Sequence, residues 1–159
     1  MAKMGSNPSN FQGQSDSASR PVEQVSWNTI QGYLSATGMR LPSEAEWEYA
    51  CRAGTTTAFN NGSSDDATVG TIAWYSSNSG NQTHAVGGKA ANALGLYDMS
   101  GSVSEWTNDR FGSTYYSVSP STNPLGPVVG SDRVRSSSRI PLNNGLTGSS
   151  IGFRVARNP

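Results

Sequence analysis

Cysteine and histidine are almost absent from this chain of 159 residues, which holds one of each, Cys51 and His84. A single cysteine forbids an internal disulfide, and a single histidine removes multi-histidine metal sites and leaves at most one Ser/His/Asp triad. Charge is scarce as well: 14% of residues are charged, eleven of each sign, so the formal net charge is zero. Without an excess of positive charge nothing draws nucleic acid or an anionic bilayer from a distance, so neither is an expected partner. Apolar runs end after a handful of residues, far short of the ~20 needed to span a membrane. The opening Met1-Ala2-Lys3-Met4-Gly5-Ser6 lacks the apolar core of a signal peptide, which points to the cytoplasm for the chain as it stands.

In place of these features there are turn formers, 18 glycines and 8 prolines beside 34% hydrophobic residues. A chain of this length buries roughly 70% of its unfolded surface, enough for one core, and no repeat or linker divides it. Residues 1–159 are therefore read as one loop-rich domain. Residues 4–21 read as an irregular arm with Phe11 as its anchor.

Two helices are predicted early. Ser26 can cap a run to Ala36 in which Trp27, Ile30, Tyr33 and Leu34 share a face, and Gly38 closes it. In Pro42-Ser43-Glu44-Ala45-Glu46-Trp47, Ser43 is the N-cap and Glu46 its capping-box partner, with Gly54 as the stop. Trp47, Ala50 and Cys51 fall on one face, which turns the thiol toward the core, away from any cation that would activate it. Beyond Gly54 the helical period vanishes. Short apolar clusters at 72–75, 94–99, 103–106, 133–135 and 152–155 read as brief strands, giving an α+β pattern.

Candidate chemistry is sparse. Asp98 and Glu105 flank a Gly/Ser turn, and with the carbonyls of Gly101 and Val103 they could ligate a hard cation such as calcium. The plainer alternative is that Glu105 caps amides or pairs with an arginine while Asp98 stays solvated. An acid/base couple needs a pocket that this stretch does not announce, and His84 sits in a loop as a structural or surface residue. Toward the C-terminus, Ser136, Ser138, Ile140, Leu142, Asn143, Asn144, Leu146, Thr147, Ser149 and Ser150 mix small donor–acceptor side chains with isolated aliphatics. Adaptable recognition loops have this composition, as do solvated loops that lead into an edge strand.

Four ordered blocks carry a resemblance: Pro21-Val22-Glu23-Gln24-Val25-Ser26-Trp27, Arg40-Leu41-Pro42-Ser43-Glu44-Ala45-Glu46-Trp47-Glu48-Tyr49-Ala50, the stretch Asn92 to Trp106 with Gly101-Ser102-Val103-Ser104-Glu105, and Ile151-Gly152-Phe153-Arg154-Val155-Ala156. Together they resemble the formylglycine-generating enzyme (sulfatase-modifying factor) family of bacteria and other organisms. The resemblance implies a C-type-lectin-like fold of two helices, a short, mostly antiparallel sheet and much irregular loop. It also implies structural calcium on Asp98, Gly101, Val103 and Glu105, although Ser102 stands where the family usually has Asn.

The family's enzymes bind copper(I) through two C-terminal cysteines and oxidise a substrate cysteine to formylglycine. No cysteine follows Cys51 here, so no copper is expected and no catalytic residue is assigned. The family's usual N-terminal strands and a central strand after Arg133-Val134 look shortened. Such a loss would expose a sheet edge, to be covered by a second copy, a partner chain or a rearranged core. The reading is a non-catalytic module that binds a protein or a small surface ligand. A close relative of this reading is the variable protein of a diversity-generating retroelement, which uses the same scaffold and varies residues just before a terminal Gly-Phe-Arg; a nearby invariant template copy in the coding DNA decides it. The alternative, a sulfatase-modifying oxidase, is disfavoured by the missing cysteine pair.

Overall fold

A computed structural model describes residues 5–127, 132–135 and 139–158. Helix α1 runs Trp27–Thr37: the Ser26 hydroxyl accepts the Thr29 amide, and Gly38, left-handed at φ 68°, returns its N–H to Leu34 O. Helix α2 runs Glu44–Arg52, and both halves of the capping box between Ser43 and Glu46 are formed. It closes one residue earlier than expected, on Ala53 in the left-handed region. The Glu46 carboxylate also holds Arg40 Nη1 at 2.6 Å. That bond keeps the Glu46 carboxyl below the usual carboxylate range against the opposing cost of burial.

Four strands form one sheet: β1 Ser104–Trp106, β2 Asp132–Arg135, β3 Arg139–Leu142 and β4 Ile151–Phe153, in the order β3-β2-β1-β4. Strands β1 and β2 pair antiparallel with Glu105 opposite Arg135, and β2–β3 is an antiparallel hairpin. β4 runs parallel to β1, with Glu105 opposite Gly152, so the sheet is mixed rather than simply antiparallel. Within this sheet β1 has a neighbour on each side, β2 and β4. Gly152 of β4 also bridges to Glu23 on its other side.

Three of the five apolar clusters lie on these strands. The other two, at 72–75 and 94–99, lie in turns, bends and irregular chain. Ile72, Ala73 and Met99 are buried there as single anchors of loops, and the intervening Asn, Gly and Ser residues keep the chain from extending.

Val25, Ile30, Leu34, Leu41 and Trp106 form the core, with Trp27, Tyr33, Leu142, Ile151 and Phe153 packed around it. The i, i+3, i+6, i+7 face of α1 thus meets the sheet through Tyr33, whose ring stands edge-on to Phe153 at 5.7 Å. Trp106, fully buried, places its indole N–H 2.9 Å from Val25 O and so meets the demand of its buried polar atom. The N-terminal arm is held by Glu23, whose carboxylate accepts the amides of Asn10 at 3.0 Å and Phe11 at 3.2 Å. This fully buried carboxylate was not singled out in the sequence; its only sign is an acidic residue between Val22 and Val25.

Candidate functional site

The turn from Asp98 to Glu105 is fixed by backbone geometry before any ligand is considered. Asp98, Gly101 and Ser102 all have positive φ, and the Ser102 amide bonds Trp74 O at 2.8 Å. Asp98 is half-buried and its Oδ2 accepts the Gly87 amide at 2.8 Å. Glu105 lies on β1 with 7% of its side chain exposed. Its Oε2 accepts the Trp47 indole N–H at 2.7 Å, which ties α2 to the sheet.

Arg154, immediately after β4, grips the same carboxylate with a fork. Nη2 donates to Oε1 at 2.7 Å and Nε donates to Oε2. Nη2 also faces the carbonyls of Tyr97 and Asp98, each at 3.4 Å. Burial pushes the guanidinium down, but the Glu105 carboxylate outweighs it and holds Arg154 above the usual arginine range. Of the two sequence alternatives for Glu105, the arginine pair is the arrangement observed.

The residues that the resemblance assigns to calcium are thus brought onto one turn, yet most of the carboxylate oxygens among them are committed elsewhere. Three of the four carboxylate oxygens of Asp98 and Glu105 already accept hydrogen bonds, and a guanidinium stands against Glu105. A divalent ion wanting six to eight oxygens would share that carboxylate with a second positive charge. No three His, Cys, Asp or Glu side chains gather as a metal-binding group among the described residues. The donor set in this arrangement does not fit calcium.

The other singled-out residues are structural. His84 stacks on Trp74 with ring centroids 3.9 Å apart and bonds Ser79 O, while Lys89 Nζ lies 3.8 Å from the centre of the same indole. Cys51 is half-buried, its thiol directed at Met99 O, and burial pushes its pKa up. Sequence reasoning missed Glu44, which is buried, accepts Tyr116 OH at 2.6 Å and donates its own amide to Asp109 Oδ1. Its place in the first turn of α2 signalled a dipole partner but not a burial site.

The C-terminal recognition candidates divide. Ser136 and Ser138 lie outside the described residues, and Ile140 falls within β3. Leu142, expected in the loop, ends β3 and packs against the core, because the hairpin register sets it opposite Asp132. Asn143, Leu146, Thr147, Ser149 and Ser150 are exposed and Asn144 half so. The backbone beneath them is fastened at three points: the amides of Asn28, Gln24 and Ser104 reach Asn144 O, Gly148 O and Ser150 O at 3.4, 3.1 and 2.8 Å. Inside the loop, Leu146 N bonds Asn143 O and Gly145 N bonds Asn143 Oδ1, both at 2.9 Å.

Comparison with known proteins agrees with this architecture. Residues 1–159 match the family model of the sulfatase-modifying factor enzyme 1-like domain. The chain is 35% identical over 156 residues to serine/threonine-protein kinase pkn1 of Chlamydia caviae, covering 88% of this chain and 24% of that protein. It is 38% identical over 129 residues to the formylglycine-generating enzyme of Streptomyces coelicolor, covering 72% and 40%. The chain therefore spans about a quarter to two-fifths of the length of these curated relatives. The solved structure of Treponema denticola variable protein 1 matches with a TM-score of 0.88 at 28% identity, over 99% of this chain and 80% of that one. With its two capped helices, its small mixed sheet and its terminal Gly152-Phe153-Arg154 packed as described, the chain belongs to the sulfatase-modifying factor enzyme 1-like family, on the C-type-lectin-like scaffold of formylglycine-generating enzymes.

Proposed function

We propose that this chain is a non-catalytic binding module that meets a protein or a small surface ligand through residues 143–150, in the manner of a diversity-generating retroelement's variable protein. The observation that carries the reading is the separation of roles in that loop. Scaffold amides hold its backbone at Asn144, Gly148 and Ser150, while the side chains of Leu146, Thr147, Ser149 and Ser150 face solvent and exposed Asn143 braces the turn through its Oδ1. A surface built this way can change its side chains without changing its shape, and a preorganised backbone lowers the entropy lost on binding. The likeness to a structure named as a variable protein supports the same reading.

Oxidase chemistry has weaker support. The only thiol in the sequence, Cys51, points at a carbonyl and burial raises its pKa, whereas copper(I) calls for a pair of thiolates. A Cys-X-Pro-X-Arg peptide incubated with the protein, copper and oxygen should yield no aldehyde, while a display library randomised at 146, 147, 149 and 150 should yield folded binders to an arbitrary protein target. Aldehyde formation, or a library whose members fail to fold, would overturn the proposal. An invariant template copy of the 3′ coding segment beside the gene would mark the loop as genetically diversified, and its absence would remove that part of the reading.

A further inference from the structure

The Arg154–Glu105 pair raises a question of its own, independent of what the loop binds: which cation holds the 98–105 turn to the end of β4. We infer that Arg154 is a built-in cation doing the work that the family resemblance gives to calcium, so that this fold is braced without metal. The guanidinium satisfies both oxygens of the Glu105 carboxylate and faces the carbonyls of Tyr97 and Asp98. These are a carboxylate and loop carbonyls, the oxygen types a hard cation would take.

Three features make the substitution physically sound. The planar fork of arginine matches a carboxylate in two parallel bonds, which a lysine cannot do. Arg154 is carried one residue beyond β4, whose Gly152 is registered opposite Glu105, so the strand pairing itself delivers the guanidinium. The Trp47 indole adds a neutral donor to Oε2, completing the acceptor's needs without another charge. A glutamate with 7% of its side chain exposed would be costly unpaired, and here a cation from the same chain is always present.

The test is thermal unfolding of the full chain, wild type, Arg154→Gln and Arg154→Lys, each with excess calcium and with chelator. Wild type should unfold at the same temperature, within about 1 °C, in both conditions. Arg154→Gln should lose on the order of 10 °C in chelator, since one partner of a buried pair is left alone. Calcium should then restore part of that loss, because the carboxylate has been released to it. Should Arg154→Gln fail to fold, Arg154→Lys, which keeps the charge and loses the fork, should fold with a smaller loss. A wild-type midpoint that climbs by several degrees with calcium, as mass action requires of a bound ion, would overturn the inference. An Arg154→Gln midpoint equal to that of wild type would do so too.

Discussion

Gly152 runs so close beneath Val22 that a β-carbon built on it would stand 2.6 Å from the Val22 carbonyl oxygen and 3.1 Å from Val103 Cγ2. Only glycine lets β4 lie between β1 on one side and the Val22–Glu23 segment on the other. Gly152→Ala should therefore push these backbones apart and cost about 1–3 kcal/mol or more, as overpacking does. Urea unfolding measures it. A variant as stable as wild type would mean that β4 can shift freely, and the anchoring of the loop before it would need another explanation.

Glu23 makes a second tie at the same place. Its carboxylate, fully buried, accepts the amides of Asn10 and Phe11, and its own amide donates to Ser9 Oγ, so much of the arm's start is tied to this one residue. Glu23→Gln keeps the shape but turns one acceptor into a donor facing an amide, and should cost about 1.5–3 kcal/mol, the range for bonds to a charged group. Limited proteolysis should show new cleavage between residues 5 and 21. An unchanged digestion pattern would show that the arm is held by other contacts.

Cys51 gives a prediction about pH. Burial raises its folded pKa above the ordinary thiol value of 9.0, and the weaker pulls of Ser100, Arg154 and Arg52 do not cancel it. A raised acid stabilises the fold only while it stays protonated, so its contribution is complete below the unfolded thiol pKa and lost as pH rises through the higher folded one. Stability should fall above about pH 9, less steeply in Cys51→Ala, and a disulfide reagent should label the native thiol slowly at pH 8. Labelling as fast as in the urea-unfolded chain would contradict the burial argument.

Local chemistry made much of this fold legible in sequence. Ser26, Gly38, Ser43 and Glu46 are caps whose partners lie within four residues, and all act as their spacing predicts. Strands at 103–106, 133–135 and 152–155 were readable from apolar clusters, whereas 72–75 and 94–99 carry the same composition but are loop anchors. Only tertiary context separates those cases, since a buried Met99 between turns and a strand residue look alike in a short window. The partner of Glu105 was beyond reach for a related reason. Arg154 is 49 residues away, and the parallel pairing of β1 with β4 that brings them together is a long-range contact with no local signal. Leu142 packs against the core although its neighbours have loop composition, since the hairpin pairing that places it in β3 has no local mark in the sequence.

Within the loop, Asn143 differs from its neighbours. Its Oδ1 accepts the Gly145 amide at 2.9 Å, so Asn143→Ala should cost about 0.5–1.5 kcal/mol, the net value of one hydrogen bond. Asn143→Asp, which keeps the acceptor, should restore it. Equal losses in the two variants would show that the turn does not depend on this bond.

The separation between a fastened backbone and free side chains is tested most directly by replacing Leu146, Thr147, Ser149 and Ser150 with alanine together and measuring urea unfolding. Each is exposed, and each change should count for no more than about 0.5 kcal/mol, so the fourfold variant should unfold cooperatively within about 2 kcal/mol of wild type. A loss above about 4 kcal/mol, or a transition that is no longer cooperative, would place these side chains in the structural core and contradict a binding loop.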